Sequence, residues 1–198
     1  KAIGQGTTLI RTQVEIDPVI GLAGFEAVRR LKADYAWALD LQICVFPQEG
    51  LLNYPGTEEL LRAALERAVE GLFGVLDLPE ARTGSPADRL RVIVAAQVGV
   101  LMAELPYVTL LLRVRGNTET ERWALERRRA FDAAVRALVR DAVDAGEVRS
   151  DVDPALAARL LSGTINSIVE WYRPGRPGTA TLPEDVVRAA FSGIVPAP

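Results

Sequence analysis

The sequence contains no histidine in its 198 residues. Imidazole is the commonest metal ligand and the usual general base near neutral pH, so its absence disfavours mononuclear zinc sites and Ser-His-Asp or Cys-His nucleophiles together. Cysteine is nearly absent as well, because Cys44 is the single one and cannot form a disulfide within the chain. We therefore expect a binding protein rather than an enzyme, with no catalytic residue, no metal and no cofactor.

Lysine is scarce: Lys1 and Lys32 are the two in the chain, so 21 of the 23 basic residues are arginine. Against 26 acidic residues the net charge is -3, which argues against broad nonspecific nucleic-acid binding but leaves room for a small basic patch. Hydrophobic residues make up 49% and charged residues 25%, as in a globular protein with a core. The length suits one domain of ordinary size, with or without a small appendage.

Long apolar runs are also missing. The longest uncharged stretch, residues 92–103, is about a dozen residues long and includes Gln97, whereas a membrane-spanning helix needs about 20 apolar residues. No charged leader followed by an apolar core opens the chain. These features predict no membrane segment and a cytoplasmic protein.

From residue 57 onward the pattern is helical. A hydroxyl cap, acidic residues and then leucines begin a helix at Thr57, and Ser85 followed by Pro86 begins another. Apolar residues then recur at helical spacing, and Pro or Gly ends each segment. The predicted helices are 57–76, 86–104, 105–115, 118–145, 154–171 and 183–194. The run 161–169 carries no charge, so the fifth helix needs a packing partner.

Residues 1–56 have a different pattern. Alternation of polar and β-branched residues over 7–16 predicts a strand, 22–37 fits an amphipathic helix, and 39–46 fits a buried strand. One such crossover unit buries too little to be stable alone, so it either docks on something or adopts another structure. We therefore divide the chain into an N-terminal segment, 1–56, and a helical domain, 57–198.

The helical domain resembles the ligand-binding and dimerisation domain of TetR-family transcriptional regulators. The resemblance rests on the order and spacing of four stretches, 57–65, 105–113, 145–154 and 170–175. It implies an all-α bundle and a regulator that binds operator DNA as a homodimer and responds to a small, largely apolar effector.

In that family a three-helix DNA-binding domain of about fifty residues precedes the ligand-binding domain, and 56 residues are present here. Residues 48–54 faintly resemble the family's recognition helix, with Gly50, Leu52 and Tyr54 in matching places. Glu49 departs from the pattern, because a basic residue is expected there and a carboxylate would repel phosphate. The resemblance implies a DNA contact set of Gln48, Leu52, Tyr54 and Thr57.

A second resemblance covers residues 1–60, which look like strands and loops of a cytosine-deaminase-like amidohydrolase barrel. The stretches are 8–18, 39–51 and 55–60, and Leu9 and Gln13 occupy places where that family usually has histidines. Without those histidines we expect no hydrolysis. The alternative function is therefore a non-catalytic fusion that carries an amidohydrolase fragment on a helical scaffold and does not bind DNA.

Two further residue sets are predicted within the helical domain. Bulky or polar side chains on stripes that should face inward are the candidate effector contacts, with core packing as the alternative explanation. They are Met102, Tyr107, Leu111, Trp123, Phe131, Asn166 and Trp171. Small and large apolar groups on the last two helices suit a four-helix dimer interface, with an intramolecular core as the alternative. They are Leu156, Leu160, Gly163, Ser167, Val187 and Phe191.

Overall fold

The computed structural model of the chain describes residues 2–15, 20, 22–46, 56–175 and 179–192. Two compact units are present, Lys1–Arg62 and Ala63–Pro198. The boundary between them lies in the first turns of the helix α2, Thr57–Asp77.

The first unit contains two parallel strands and the helix that connects them. Strand β1 spans Leu9–Glu15, helix α1 spans Ala23–Asp34 and strand β2 spans Asp40–Phe46. The strands pair from Leu9 opposite Asp40 to Glu15 opposite Phe46. Gly24 lets α1 approach β1, because a Cβ at that position would lie 3.2 Å from Val14 Cγ1.

Few apolar side chains are buried in this first unit. Val14 and Leu41 are the buried ones among its described residues, and α1 contributes none. Trp37 is 79% exposed. The strand-helix-strand pattern of the sequence is therefore what the structure has, and residues 2–15, 20 and 22–46 do not form the three helices of the alternative prediction.

The second unit is a bundle of helices. Its described helices follow in order after α2. They are α3 Pro79–Arg82, α4 Pro86–Ala103, α5 Leu105–Arg113, α6 Glu119–Asp144, α7 Pro154–Trp171 and α8 Leu182–Ser192. The six helices predicted from the sequence are confirmed within a few residues, and the all-α prediction for this part of the chain is confirmed. The short helix α3 was not predicted.

Helix α4 is the centre of the bundle. It packs against α3, α5, α6, α7 and α8, which explains why apolar residues occur on several of its sides. Leu90, Val98 and Leu101 on α4 are at most 1% exposed. Leu65 of α2, Leu111 of α5 and Val139 of α6 are equally buried and continue the core. Fully burying an aliphatic side chain of this kind stabilises a fold by about 1.5–3 kcal/mol.

The predicted capping residues begin the helices as expected. Ser85 Oγ accepts a hydrogen bond from Asp88 N at 3.3 Å, and Asp153 Oδ1 accepts one from Leu156 N at 2.9 Å. The turn after α6 also contacts the start of α4, where Glu147 Oε2 accepts a hydrogen bond from Ala87 N at 2.8 Å.

In the described part of the chain, no single helix is long and apolar enough to cross a membrane. Helices α4 and α5 would pass that test only as a pair, and they bend by 102° at Glu104.

Candidate functional site

One side of α7 exposes apolar and small residues. Leu156 is 46% exposed, Leu160 60% and Trp171 50%, and Gly163 and Ser167 between them are exposed as well. These five residues, called the α7 stripe below, follow one another at spacings of three or four and so share a helix face. The opposite face packs Leu161, Ile165 and Ile168 into the core, with Ala157 and Ala158.

The hydroxyl groups on this side of α7 are satisfied within the helix. Thr164 Oγ1 donates to Leu160 O at 3.0 Å, and Ser167 Oγ donates to Thr164 O at 2.7 Å. The stripe therefore offers close packing without a hydroxyl donor in need of a partner. An exposed apolar helix face of this kind is typical of a protein interface.

The six residues of the predicted dimer interface have different environments. Leu156, Leu160, Gly163 and Ser167 lie on the α7 stripe, and Val187 of α8 is half-buried. Phe191 is only 4% exposed, and the Arg91 guanidinium lies 4.9 Å from the centre of its ring. Phe191 thus belongs to the packing between α4 and α8 within the chain, as the alternative explanation for this set allowed.

A basic cleft of about 520 Å³ lies beside the C-terminal end of α7. It is called the arginine cleft here, and α5, the loop after α5, α6 and α7 contribute to it. Its lining residues are Leu112, Arg113, Arg115, Arg128, Asn166, Val169 and Glu170. Three guanidinium groups thus meet a single carboxylate.

The loop that carries Arg115 is fixed by Glu121. One oxygen of this carboxylate, Oε2, accepts hydrogen bonds from the backbone N–H groups of Arg115, Gly116 and Asn117 at 3.1, 2.8 and 2.8 Å. Glu121 N donates to Thr118 Oγ1 at 3.2 Å, so Thr118 caps the start of α6. Gly116 adopts φ 89°, a left-handed conformation that favours glycine.

The three arginines of the cleft differ in how they are paired. Arg113 Nη2 lies 3.3 Å from Glu170 Oε1, and Arg128 Nη1 donates to the backbone oxygen of Leu111 at 3.2 Å. Among the described residues, the Arg115 side chain has no hydrogen-bond or ion-pair partner. The Asn166 side chain is likewise without a partner within those ranges. The cleft therefore contains hydrogen-bond donors that are free to bind a ligand.

Burial and the neighbouring charges affect the ionisation of Arg128 in the cleft and of Asp132, which is near Arg128 but does not line the cleft. Burial lowers the pKa of Arg128; Asp132 raises it, and the like charge of Arg115 lowers it further. Burial raises the pKa of Asp132, although Arg128 and Arg136 oppose this shift. The like charges of Arg115 and Arg128 repel each other, and a negative charge bound between them would relieve that repulsion.

A smaller cavity of about 230 Å³ lies between α6 and α7. Its lining is mixed in charge and mostly polar: Asp132, Arg136, Ala155, Ala158, Arg159 and Ser162. Charged and polar side chains thus outnumber the apolar ones in both described cavities, and the bulky apolar ones among their lining residues are Leu112 and Val169 of the arginine cleft.

The predicted effector contacts do not come together as one set. Leu111 and Phe131 are buried in the core, and Phe131 packs edge-to-face on Phe73 with ring centres 5.9 Å apart. Met102 and Trp123 are half-buried, and the Arg67 guanidinium lies 4.6 Å from the centre of the Tyr107 ring. Trp171 does not face inward as predicted, because it lies at the end of the α7 stripe. Asn166 is the member of the set that lines the arginine cleft.

Of the predicted DNA contacts, Gln48, Leu52 and Tyr54 lie outside the described residues. Thr57 is the first residue of α2 and is half-buried. Within the described ranges, no three Cys, Asp or Glu side chains come together in a way that could hold a metal ion.

The chain was compared with known protein families and structures. Residues 83–194 match the family model of the tetracyclin repressor-like C-terminal domain. The crystal structure of SCO3833, a member of the TetR transcriptional regulator family from Streptomyces coelicolor, is 47% identical, covers 88% of this chain and 86% of its own, and superposes with a TM-score of 0.67. No curated protein sequence matches.

Two more distant structures share the fold. The ketosteroid transcriptional regulator KstR2 of Mycobacterium tuberculosis is 21% identical over 71% of this chain and 74% of its own, with a TM-score of 0.65. AibR in complex with isovaleryl coenzyme A and operator DNA is 19% identical over 76% and 82%, with a TM-score of 0.60. The family match spans more than half of the chain, and the Streptomyces relative is close over most of both proteins. The chain therefore belongs to the TetR family of transcriptional regulators.

Proposed function

We propose that this chain is a ligand-responsive transcriptional regulator that binds operator DNA as a homodimer. The observation that carries the proposal is the α7 stripe, with Leu160 60% exposed and no charged residue from Leu161 to Val169. A symmetric dimer places the same stripe of each copy against the other, and Gly163 and Ser167 permit a close approach of the two helices. Family membership supports both the dimer and the DNA function.

In this proposal residues 1–56 occupy the place of the DNA-binding domain, and 57–198 form the ligand-binding and dimerisation domain. Gln48, Leu52, Tyr54 and Thr57 remain the proposed DNA contacts. AibR, a protein of the same fold, is described in complex with both isovaleryl coenzyme A and operator DNA, which supports a regulator that couples two ligands. The effector shifts the domain between two packings and so changes operator affinity. No catalytic step is involved.

A gel-shift titration tests this function. DNA from the promoter of the chain's own gene and random DNA of equal length are titrated at two salt concentrations, because a regulator must discriminate its operator from nonspecific sites. The expected result is a tighter complex on the promoter DNA. Equal affinity for both DNAs would contradict operator binding.

The second candidate is a non-catalytic fusion in which residues 1–60 carry an amidohydrolase fragment and DNA is not bound. The parallel pairing of β1 and β2 favours it, because a β-strand, helix, β-strand crossover is the repeating unit of such barrels. The same titration separates the two functions, since the fusion is expected to shift neither DNA with sequence preference.

A further inference from the structure

We infer that the arginine cleft binds the oxyanion group of a small amphipathic molecule, a carboxylate or a phosphate with an apolar tail. This inference rests on the proposed function only in assigning the molecule the role of effector. It differs from the largely apolar effector expected from the sequence.

The charge balance of the cleft supports an anionic ligand. Arg113, Arg115 and Arg128 contribute three positive charges, and Glu170 contributes one negative charge, so the lining has a net charge of about +2 in a protein whose total is -3. Glu170 is exposed and pairs with Arg113. Arg128 has the Asp132 carboxylate as a neighbouring charge, whereas the Arg115 side chain has no partner among the described residues and is therefore left to attract a ligand.

The geometry of the donors also suits an oxyanion. The Glu121 carboxylate accepts three backbone hydrogen bonds from the loop that carries Arg115, so the backbone from which the Arg115 side chain extends is held in place. Arg128 is anchored to Leu111 O through Nη1 alone, which leaves its other N–H groups available. Asn166 adds an amide that can donate a further hydrogen bond. Guanidinium groups bind carboxylates and phosphates through charge-assisted hydrogen bonds.

Two of the seven lining residues are apolar. Leu112 of α5 and Val169 of α7 line the cleft beside the charged groups. A volume of about 520 Å³ is in the range of small-molecule sites. We therefore assign the cleft to a small ligand with a charged head and an aliphatic tail.

Isothermal titration calorimetry on the full chain tests the inference with three probes: octanoate, inorganic phosphate and neutral octanol. Octanoate is expected to bind, and its affinity should fall as salt is raised. Binding of phosphate as well would mean that any oxyanion is accepted, whereas binding of octanoate alone would mean that the site takes a carboxylate with a tail. Octanol binding as tightly as octanoate, or no binding of either anion at millimolar concentration, would overturn the inference.

Three substitutions sharpen the test because they predict effects of different sign. Arg115→Gln should weaken octanoate binding about tenfold, since one charge-assisted hydrogen bond is lost. Glu170→Gln should tighten it about threefold, because a competing carboxylate is removed and Arg113 is released. Arg129→Gln, an exposed arginine of α6 outside the cleft lining, is the matched control and should have no effect. Equal affinities for all three variants would also overturn the inference.

A gel shift with octanoate keeps this failure distinct from that of the proposed function. If the chain does not bind its promoter DNA, the regulator is wrong while the calorimetry still tests the cleft. If octanoate changes promoter affinity equally in the wild type and in Arg115→Gln, the regulator stands and the cleft is wrong.

Discussion

Arg67 of α2 and Glu104 at the bend between α4 and α5 form a two-pronged ion pair. Arg67 Nε donates to Glu104 Oε2 at 2.7 Å, and Arg67 Nη2 donates to Glu104 Oε1 at 2.8 Å. The same guanidinium lies 4.6 Å from the centre of the Tyr107 ring. One arginine thus connects α2 to the bend and to α5, and a bidentate geometry of this kind fixes direction as well as distance.

This pair predicts a specific dependence of stability on pH. Hydrogen bonding to Arg67 lowers the pKa of the Glu104 carboxyl, and burial opposes that shift only in part. Its contribution is therefore fully present above the unfolded-state pKa of about 4.3 and is lost as the pH falls through the lower folded-state value. Melting temperatures measured from pH 7 to 3 should fall less steeply below pH 4.3 in Glu104→Gln than in the wild type.

Glu126→Gln is the control for this comparison, because Glu126 is an exposed carboxylate on α6 outside the pair. Its melting curve should keep the wild-type slope in the acid range. Identical slopes for the wild type and Glu104→Gln would mean that the pair does not contribute to stability.

The Glu121 carboxylate predicts a loss of stability on truncation. Glu121→Ala leaves the backbone N–H groups of Arg115, Gly116 and Asn117 without their acceptor, which should lower the free energy of unfolding by about 2 kcal/mol. Glu119→Ala removes a neighbouring, exposed carboxylate of the same helix turn and should cost less than about 1 kcal/mol. Urea unfolding measures both, and a Glu121 effect no larger than that of Glu119 would contradict the structure.

Phe131 was predicted as an effector contact, and its buried position instead predicts a packing role. Phe131→Ala should lower the free energy of unfolding by about 3–5 kcal/mol, because it leaves a cavity beside Phe73. The milder Phe131→Leu keeps most of the volume, so it should fold and bind octanoate with wild-type affinity in calorimetry. A loss of affinity in Phe131→Leu without a loss of stability would restore the effector role.

Local chemistry explains which parts of the fold could be predicted. Ser85, Thr118 and Asp153 cap helices by accepting hydrogen bonds from the backbone N–H three residues further along the chain. The helix starts can therefore be predicted from neighbouring residues. The short helix α3 is not predicted because a proline at position 79 suggests the end of the preceding helix. Proline equally suits the first turn of a helix, which is its position in α3.

The arginine cleft could not be predicted in the same way. Its arginines belong to α5, to the loop after it and to α6, and in a chain with 21 arginines nothing local marks the three that converge. The loop conformation depends on Glu121 reaching back to Gly116, which is a contact across the start of a helix. Asn166 lines the cleft and is also a predicted effector contact, since a polar side chain in the uncharged run 161–169 needs a hydrogen-bond partner.

Trp171 shows how two sequence signals can disagree. Its size suggested an inward position, whereas its spacing of four from Ser167 and eleven from Leu160 places it on the exposed stripe. The structure follows the spacing, since Trp171 is 50% exposed. The helical period was thus the better guide than the size of the side chain.

If the α7 stripe is the dimer interface, a charged residue introduced into it should separate the two copies. Leu160→Arg should give a folded monomer, because Leu160 is exposed in the single chain and the arginine is buried only in a dimer. Leu78→Arg, at a leucine 36% exposed outside the stripe, is the matched control and should remain a dimer. Circular dichroism should give a helical spectrum for both variants, which checks that they are folded.

Light scattering coupled to size-exclusion chromatography tests the central claim most directly. At micromolar concentration the wild-type chain and Leu78→Arg should have about twice the chain mass of 21.5 kDa, and Leu160→Arg should have the mass of one chain. A wild-type protein that elutes as a monomer, or a Leu160→Arg variant that stays dimeric, would contradict dimerisation through the α7 stripe.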